Sequence, residues 1–260
     1  MTDEGPLARL AQPVAVQPVA VAVTVALAGL TTLSGYAGTP LLGALGLAGA
    51  VLAVGWADAL SLPSPRGTAG VLLIASAAAL VAVGAVDDEP FLRLLPAGLA
   101  LAMLATFAHQ LMRRDGRPRL VESVTSTSLG VAVVTCGACL FPLVYVRHGS
   151  AVLAAAMAAV AASALAEPLG RWRAVRGWLL PVCVLLGVGA ALLVTAWWDE
   201  LPEPQSALLG AVSAVTSHAV RRAMSGLPAI ARFRPQLASA AASVLLPGIA
   251  VYVVGRVFVA

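Results

Sequence analysis

The sequence predicts an all-α protein, a polytopic helical membrane protein of about nine transmembrane helices with its N-terminus cytoplasmic and its C-terminus outside. Three observations carry this. The 260 residues are 60% hydrophobic and only 11% charged, where a soluble domain has about a quarter of its residues charged. Apolar runs recur along the whole length, each near the ~20 residues that a helix needs to cross hydrocarbon. The sixteen basic residues, all arginine, fall unevenly between alternate loops. A β-barrel would show shorter, alternating segments instead.

In chain order the runs cover residues 13–34, 38–60, 68–86, 91–112, 123–145, 149–167, 178–198, 206–222 and 237–259. The N-terminal stretch MTDEGPLARLAQP lacks the basic start and small-residue cleavage site of a signal peptide, so the first run is expected to stay as a span. Only SGYAG separates the first two runs, which predicts a tight antiparallel hairpin. The second run carries Gly43, Gly46, Gly49 and Gly55, suited to close helix contact. Pro142, Pro181 and Pro247 fall within the fifth, seventh and ninth runs and are expected to kink or loosen them. The sixth run is alanine on nearly every face, offers little to lipid, and is expected inside the bundle. No connecting loop is long enough for a soluble domain, so residues 1–260 are read as one integral membrane domain.

Assigning loops alternately gives the orientation. One side receives thirteen arginines: Arg9, Arg66, Arg113, Arg114, Arg117, Arg119, Arg171, Arg173, Arg176, Arg221, Arg222, Arg232 and Arg234. The other receives Arg93, Arg147 and Arg256. The positive-inside tendency makes the first side cytoplasmic and the protein a multi-pass component of the cell membrane. The outer loops carry acids instead, DDE at 87–89 and DELPE at 199–203. Trp197 and Trp198 fit an outer aromatic belt, Trp172 and Trp178 an inner one. The expected partners of the basic side are anionic lipid headgroups, worth about 1 kcal/mol per arginine near the surface. Nucleic acid is not expected, since the arginines are dispersed over short loops with no aromatic-lined basic domain.

Ionisable residues within or beside spans are costly and so are the first candidates for function. Asp58, His109, Glu122 and Glu167 all fall near inner span ends, Asp58 within reach of Arg66 and His109 four residues before Arg113. They could form a cytoplasm-facing polar cluster, or be ordinary span-end groups that snorkel to the interface. His218, Arg221 and Arg222 follow in the eighth run, and Arg171 lies beyond the sixth; these four are the candidates for holding a lipid phosphate. Catalytic residues are not assigned. CGAC at 136–139 has the spacing of a metal or redox pair, but the only other cysteine is Cys183 and a structural zinc site needs four ligands. The cysteines are read as small packing residues, with no metal and no cofactor expected. Ser123, Ser126 and Thr127 share a face of the fifth span, where hydroxyls bond across helices or back to their own backbone.

From about residue 110 onward the order of features resembles the CDP-diacylglycerol synthase (phosphatidate cytidylyltransferase) family. The segment RPRLVESVTSTSLGVAVVTCGACLFPLVYVRHGSAVLAAAMAAVAASALAEPLGR is similar to that family's two central spans, with Gly170-Arg171 at the family's Gly-Arg. SHAVRR resembles the family's Ser-x-x-Lys-Arg, with His218, Arg221 and Arg222 in the matching places, and SVLLP at 243–247 resembles the Asp-Ser-Leu-Leu-Pro of its last span. The resemblance implies a membrane enzyme fold with a site open to the cytoplasm and a homodimeric assembly. The family's Ser-Asp reads Ser163-Ala164 here, its Asp-Arg-x-x-Asp falls on the acid-free stretch of Ala240, Ala241, Ala242 and Ser243, and its Pro-Gly-His-Gly-Gly is missing. Those acids hold the metals that neutralise nucleotide phosphates. The expectation is therefore a non-catalytic relative that binds phospholipid or a protein partner. The alternatives are a small-molecule or lipid transporter, an enzyme using the inner-face acids, and a structural or assembly subunit of a membrane complex.

Overall fold

The structure is a computed structural model describing residues 17–198 and 201–259. Its helices are α1 (Pro18–Ser34), α2 (Gly38–Ala59), α3 (Pro65–Gly84), α4 (Leu95–Met112), α5 (Leu120–Ala138), α6 (Gly149–Ala166), the one-turn α7 (Arg173–Arg176), α8 (Leu179–Trp198), α9 (Glu203–Ser225), α10 (Phe233–Leu245) and α11 (Gly248–Val254). Short 3-10 turns extend α5 at Phe141–Tyr145 and α6 at Glu167–Arg171. Among the described residues there is no strand. Prolines in the first turn open α1, α3, α4 and α9, where the missing N–H has no helical partner to lose.

Seven helical stretches are long and apolar enough to cross a membrane: α2, α3, α4, α5 with its 3-10 turn, α6 with its turn, α8, and α10 with α11. The other two of the nine runs have physical reasons to differ. α1 is apolar but only 17 residues long. Its start is fixed by Gln236 of α10, whose Oε1 accepts from the Val19 and Ala20 amides at 3.1 and 3.4 Å. Residues 13–16 of the first run lie outside the described residues. α9 has the length, 23 residues, but carries Ser206, Ser213, Ser217, His218 and Arg221 on the face it buries.

The bundle has two groups of helices with a central pair. α2, α3, α4 and α5 pack together in the first half, and α6, α8 and α9 in the second. α10 lies against α2, α1 and α9, and α1 lies against α6, so these two join the halves. The hydroxyls of Thr24 on α1 and Ser243 on α10 meet at 3.2 Å in this seam. The alanine helix α6 is the most enclosed span, 72% buried, whereas α4 and α8 are 28% buried. Alanine supplies no side-chain mass for a lipid-facing surface and lets three neighbours approach. Gly55 shows how close the approach is: a Cβ there would stand 2.0 Å from the backbone oxygen of Arg234.

The prolines act as terminators more than as kinks. Pro247 ends α10 and caps α11, Pro142 sits in the 3-10 turn after α5, and Pro181 lies in the first turn of α8, where it removes no helical hydrogen bond.

Contacts between loops define two ends. At one, Arg119 donates to the Ser61 carbonyl at 2.7 Å and Arg234 meets Asp58 at 3.4 Å. This end holds twelve of the fifteen arginines that lie among the described residues. At the other, Arg256 bonds Glu89 at 2.6 Å and lies over Phe91, which stacks on Tyr145. Trp172 and Trp178 are exposed at the basic end and Trp197 at the opposite one; Asp199 and Glu200 of the expected outer acid run lie outside the described residues.

Candidate functional site

The second half encloses a polar cluster. Ser163 lies on the last turns of α6, and the 3-10 turn that follows places Glu167 one turn further on. Cys183 projects from α8, and Ser217, His218 and Arg221 from α9. The serines at 206, 213 and 217 and Arg221 recur at helical spacing, so one face of α9 is polar, and that face is the buried one. Ser163, Cys183 and Ser217 are fully buried, Arg221 is 3% exposed and His218 6%.

Every nitrogen of the Arg221 guanidinium is bonded within the protein. Nε donates to Glu167 Oε1 at 3.1 Å, Nη1 to Ser217 Oγ at 2.6 Å and Nη2 to Ser163 Oγ at 2.6 Å. His218 Nδ1 lies 2.7 Å from the same Glu167 oxygen and 3.6 Å from Cys183 Sγ. The thiol also points at the Ser163 carbonyl, 3.6 Å away. The Nδ1–H of the imidazole donates to Glu167, so one carboxylate faces both the ring and the guanidinium and offsets buried positive charge that would be costly alone in a low-dielectric interior. Both the thiol and the carboxylate address one ring nitrogen, so the imidazole does not bridge them. A nucleophile–base–orienter chain needs both nitrogens, one for each partner.

The basic end of the first half carries a cleft of about 570 Å³. Val54 and Ala69 line its apolar wall, and Asp58, Ser64, Arg66 and Arg234 its polar side. Arg66 and Arg234 are exposed and Asp58 is half-buried. Two guanidiniums against one carboxylate leave the cleft positive.

The four inner-face candidates are placed separately. Asp58 pairs with Arg234 rather than the expected Arg66, because α10 begins directly against the end of α2. Glu122 forms an exposed ion pair with Arg119. The His109 ring packs against Gly67, where an added Cβ would sit 1.8 Å from Cε1. Glu167 alone enters the buried cluster. Of the phosphate candidates, His218 and Arg221 are buried in that cluster, Arg222 is half-buried, and Arg171 is exposed over the Trp172 ring at 5.5 Å. Arg113 is 9% exposed and binds Gln110, Pro118 and Asp115 around its own loop.

Sequence reasoning missed Cys183 as a polar-site residue and Arg66 with Arg234 as a pair. The signal for the first lay in α9, whose polar residues share one face that must meet something. No sequence signal pairs Arg66 with Arg234, which sit in the first turns of α3 and α10, 168 residues apart. Cys139 stays as expected, buried and bonded to its own helix at the Thr135 carbonyl. Thr127 likewise bonds back to Ser123, and Ser123 also accepts from Arg113. Comparison with protein-family models, with curated proteins and with solved structures finds no match to this chain.

Proposed function

We propose that this chain is a multi-pass protein of the cell membrane that spans it with nine helices, its basic end cytoplasmic, and that it holds an anionic phospholipid headgroup there without turning it over. The observation that carries the reading is the cleft between Arg66 and Arg234. Guanidinium groups pair with phosphate oxygens through two parallel hydrogen bonds. The apolar wall of Val54 and Ala69 suits the glycerol and first methylenes of a lipid, and the surrounding arginines add attraction for an anionic leaflet. The likeness to the synthases supports the same ligand class, and the loss of their acids supports binding without cytidylyl transfer. Arg221 drops out of the phosphate-binding set in this reading, since all its nitrogens are already bonded.

The test is native mass spectrometry of detergent-purified protein for retained lipid, beside an assay with magnesium, CTP and phosphatidic acid. Retained anionic lipid that is lost in an Arg66→Ala/Arg234→Ala variant and kept in Arg171→Ala is the expected outcome. Equal retention in all three proteins would overturn the site, and CDP-diacylglycerol formation would overturn the non-catalytic part. A second reading, a transporter, is favoured by the buried ionisable cluster in α9, because such groups in spans commonly mark ion or proton pathways. Solute or lipid transfer in proteoliposomes, abolished by His218→Ala, would raise it above the first.

A further inference from the structure

We propose that Glu167, Cys183 and His218 form a binding site for a thiophilic divalent cation, with Zn²⁺ as the reference ion. Three helices each contribute one ligand type, and the carboxylate oxygen, thiol sulfur and imidazole Nδ1 lie within 4.8 Å of one another. Bond lengths of about 2.0 Å to nitrogen and 2.3 Å to sulfur give a tetrahedral N–S edge of roughly 3.5 Å. The observed Nδ1 to Sγ distance is 3.6 Å. The Nδ1 to Oε1 distance is 2.7 Å, a hydrogen-bond length that opens by roughly half an ångström when a metal replaces the proton.

The convergence on Nδ1 is the distinguishing feature. Sulfur and oxygen both approach the one ring nitrogen, at 3.6 and 2.7 Å, as ligands do around a shared ion. A packing cysteine makes no such contact: Cys139 bonds only its own helix backbone. Ligand softness fits zinc and its relatives, since thiolate and imidazole select them over magnesium or calcium.

Arg221 is the opposing charge, and its geometry limits the opposition. Its two terminal nitrogens are held by Ser217 and Ser163 at 2.6 Å each, so the guanidinium keeps two of its three partners when the carboxylate turns toward the ion. The charges balance in the bound state. Zn²⁺ displaces the thiol proton and the proton on Nδ1, and the imidazole binds as the neutral ring with its proton on Nε2. Water in the fourth position gives up a proton to become hydroxide, and thiolate, carboxylate and hydroxide together offset the ion and the guanidinium. Glu167 keeps 14% of its side chain exposed while Cys183 is closed off, so the ion enters past the carboxylate at the basic end.

Full-length protein in detergent, stripped with a chelator, is titrated with Co²⁺. A thiolate-to-cobalt charge-transfer absorption that saturates at one ion per chain, and that Zn²⁺ abolishes, is the expected result. Cys183→Ser and His218→Ala should each lose the band, whereas Cys136→Ser/Cys139→Ser keeps it. Zn²⁺ should raise the melting temperature of the wild type and not of Cys183→Ser. The idea fails if folded wild-type protein gives no band, or if the band survives Cys183→Ser. The readout does not involve lipid, so its failure leaves the phospholipid reading untouched.

Discussion

Arg113 and Arg221 are both buried arginines with a carboxylate partner, one in each half of the bundle, yet they do different work. The acid of Arg113 is Asp115, two residues along the chain and 45% exposed. The acid of Arg221 is Glu167, from another helix 54 residues away and 14% exposed. Arg113 closes an exposed loop at the end of α4, with Gln110 and the Pro118 carbonyl completing the turn. Arg221 ties α9 to α6 inside the bundle, with Cys183 of α8 drawn in through His218. The same residue type therefore organises a local turn where water is near and a three-helix junction where it is not. What differs is the cost of losing the partner.

Glu167→Leu should show the largest effect. It removes the one carboxylate facing two buried basic side chains, and breaking a buried pair from one side costs about 3–5 kcal/mol. The melting temperature in detergent should fall sharply. Adding Arg221→Met should restore much of the loss, because removing both partners leaves no stranded charge. A double variant as unstable as the single one would show that the cluster is held by something other than charge pairing.

Gly210→Ala probes the packing that lets the second-half cluster close. A Cβ at residue 210 would meet Val188 Cα at 2.8 Å and the Gly187 carbonyl oxygen at 2.9 Å, both on α8. Backbone cannot swing aside as a side chain can, so α9 must move away from α8. The expected cost is about 1–3 kcal/mol, and in the same variant the Cys183 thiol should become more reactive toward a maleimide. The matching first-half change, Gly116→Ala, meets no atom within 4 Å but holds φ at +75°. Its cost is set by the left-handed backbone alone, about 1 kcal/mol, and should show only as faster amide exchange in residues 113–119.

This contrast also explains what could be read in advance. Apolar runs locate seven spans because composition alone decides whether a segment can cross lipid. α6 was legible as an interior helix for the same reason, alanine having nothing to offer lipid. The lengths of α1 and α10 were not, since Gln236 caps the one and Pro247 ends the other through contacts that depend on the assembled bundle or on a choice between kink and stop. At the site, Glu167, His218 and Arg221 stood out as costly ions. Cys183 did not, because a cysteine in an apolar run looks alike whether it faces alanine or imidazole. Only the packing of α8 between α6 and α9 separates the two cases. The pairing of Asp58 with Arg234 over Arg66 was equally a matter of which helix start lies nearest.

The smallest effect belongs to Asp115→Asn, and it carries a sign in pH. The Arg113 hydrogen bond holds the Asp115 carboxyl below the usual carboxylate range, helped by the Arg117 amide at 3.1 Å. A depressed folded value means that the loop gains order above the ordinary carboxylate pKa and loses it as pH falls through the lower, folded one. The wild-type amides of Gly116 and Arg117 should therefore exchange faster, after correction for intrinsic rates, as pH drops between about 5 and 3. In Asp115→Asn the corrected rate should already be raised at pH 5 and stay flat across that window, meeting the wild type at the acid end. Glu167, enclosed by α6, α8 and α9, should leave no trace in that loop. A Glu167→Leu protein that remains folded but shows altered pH dependence at Gly116 and Arg117 would mean that the two halves are coupled more tightly than their separate arginines suggest.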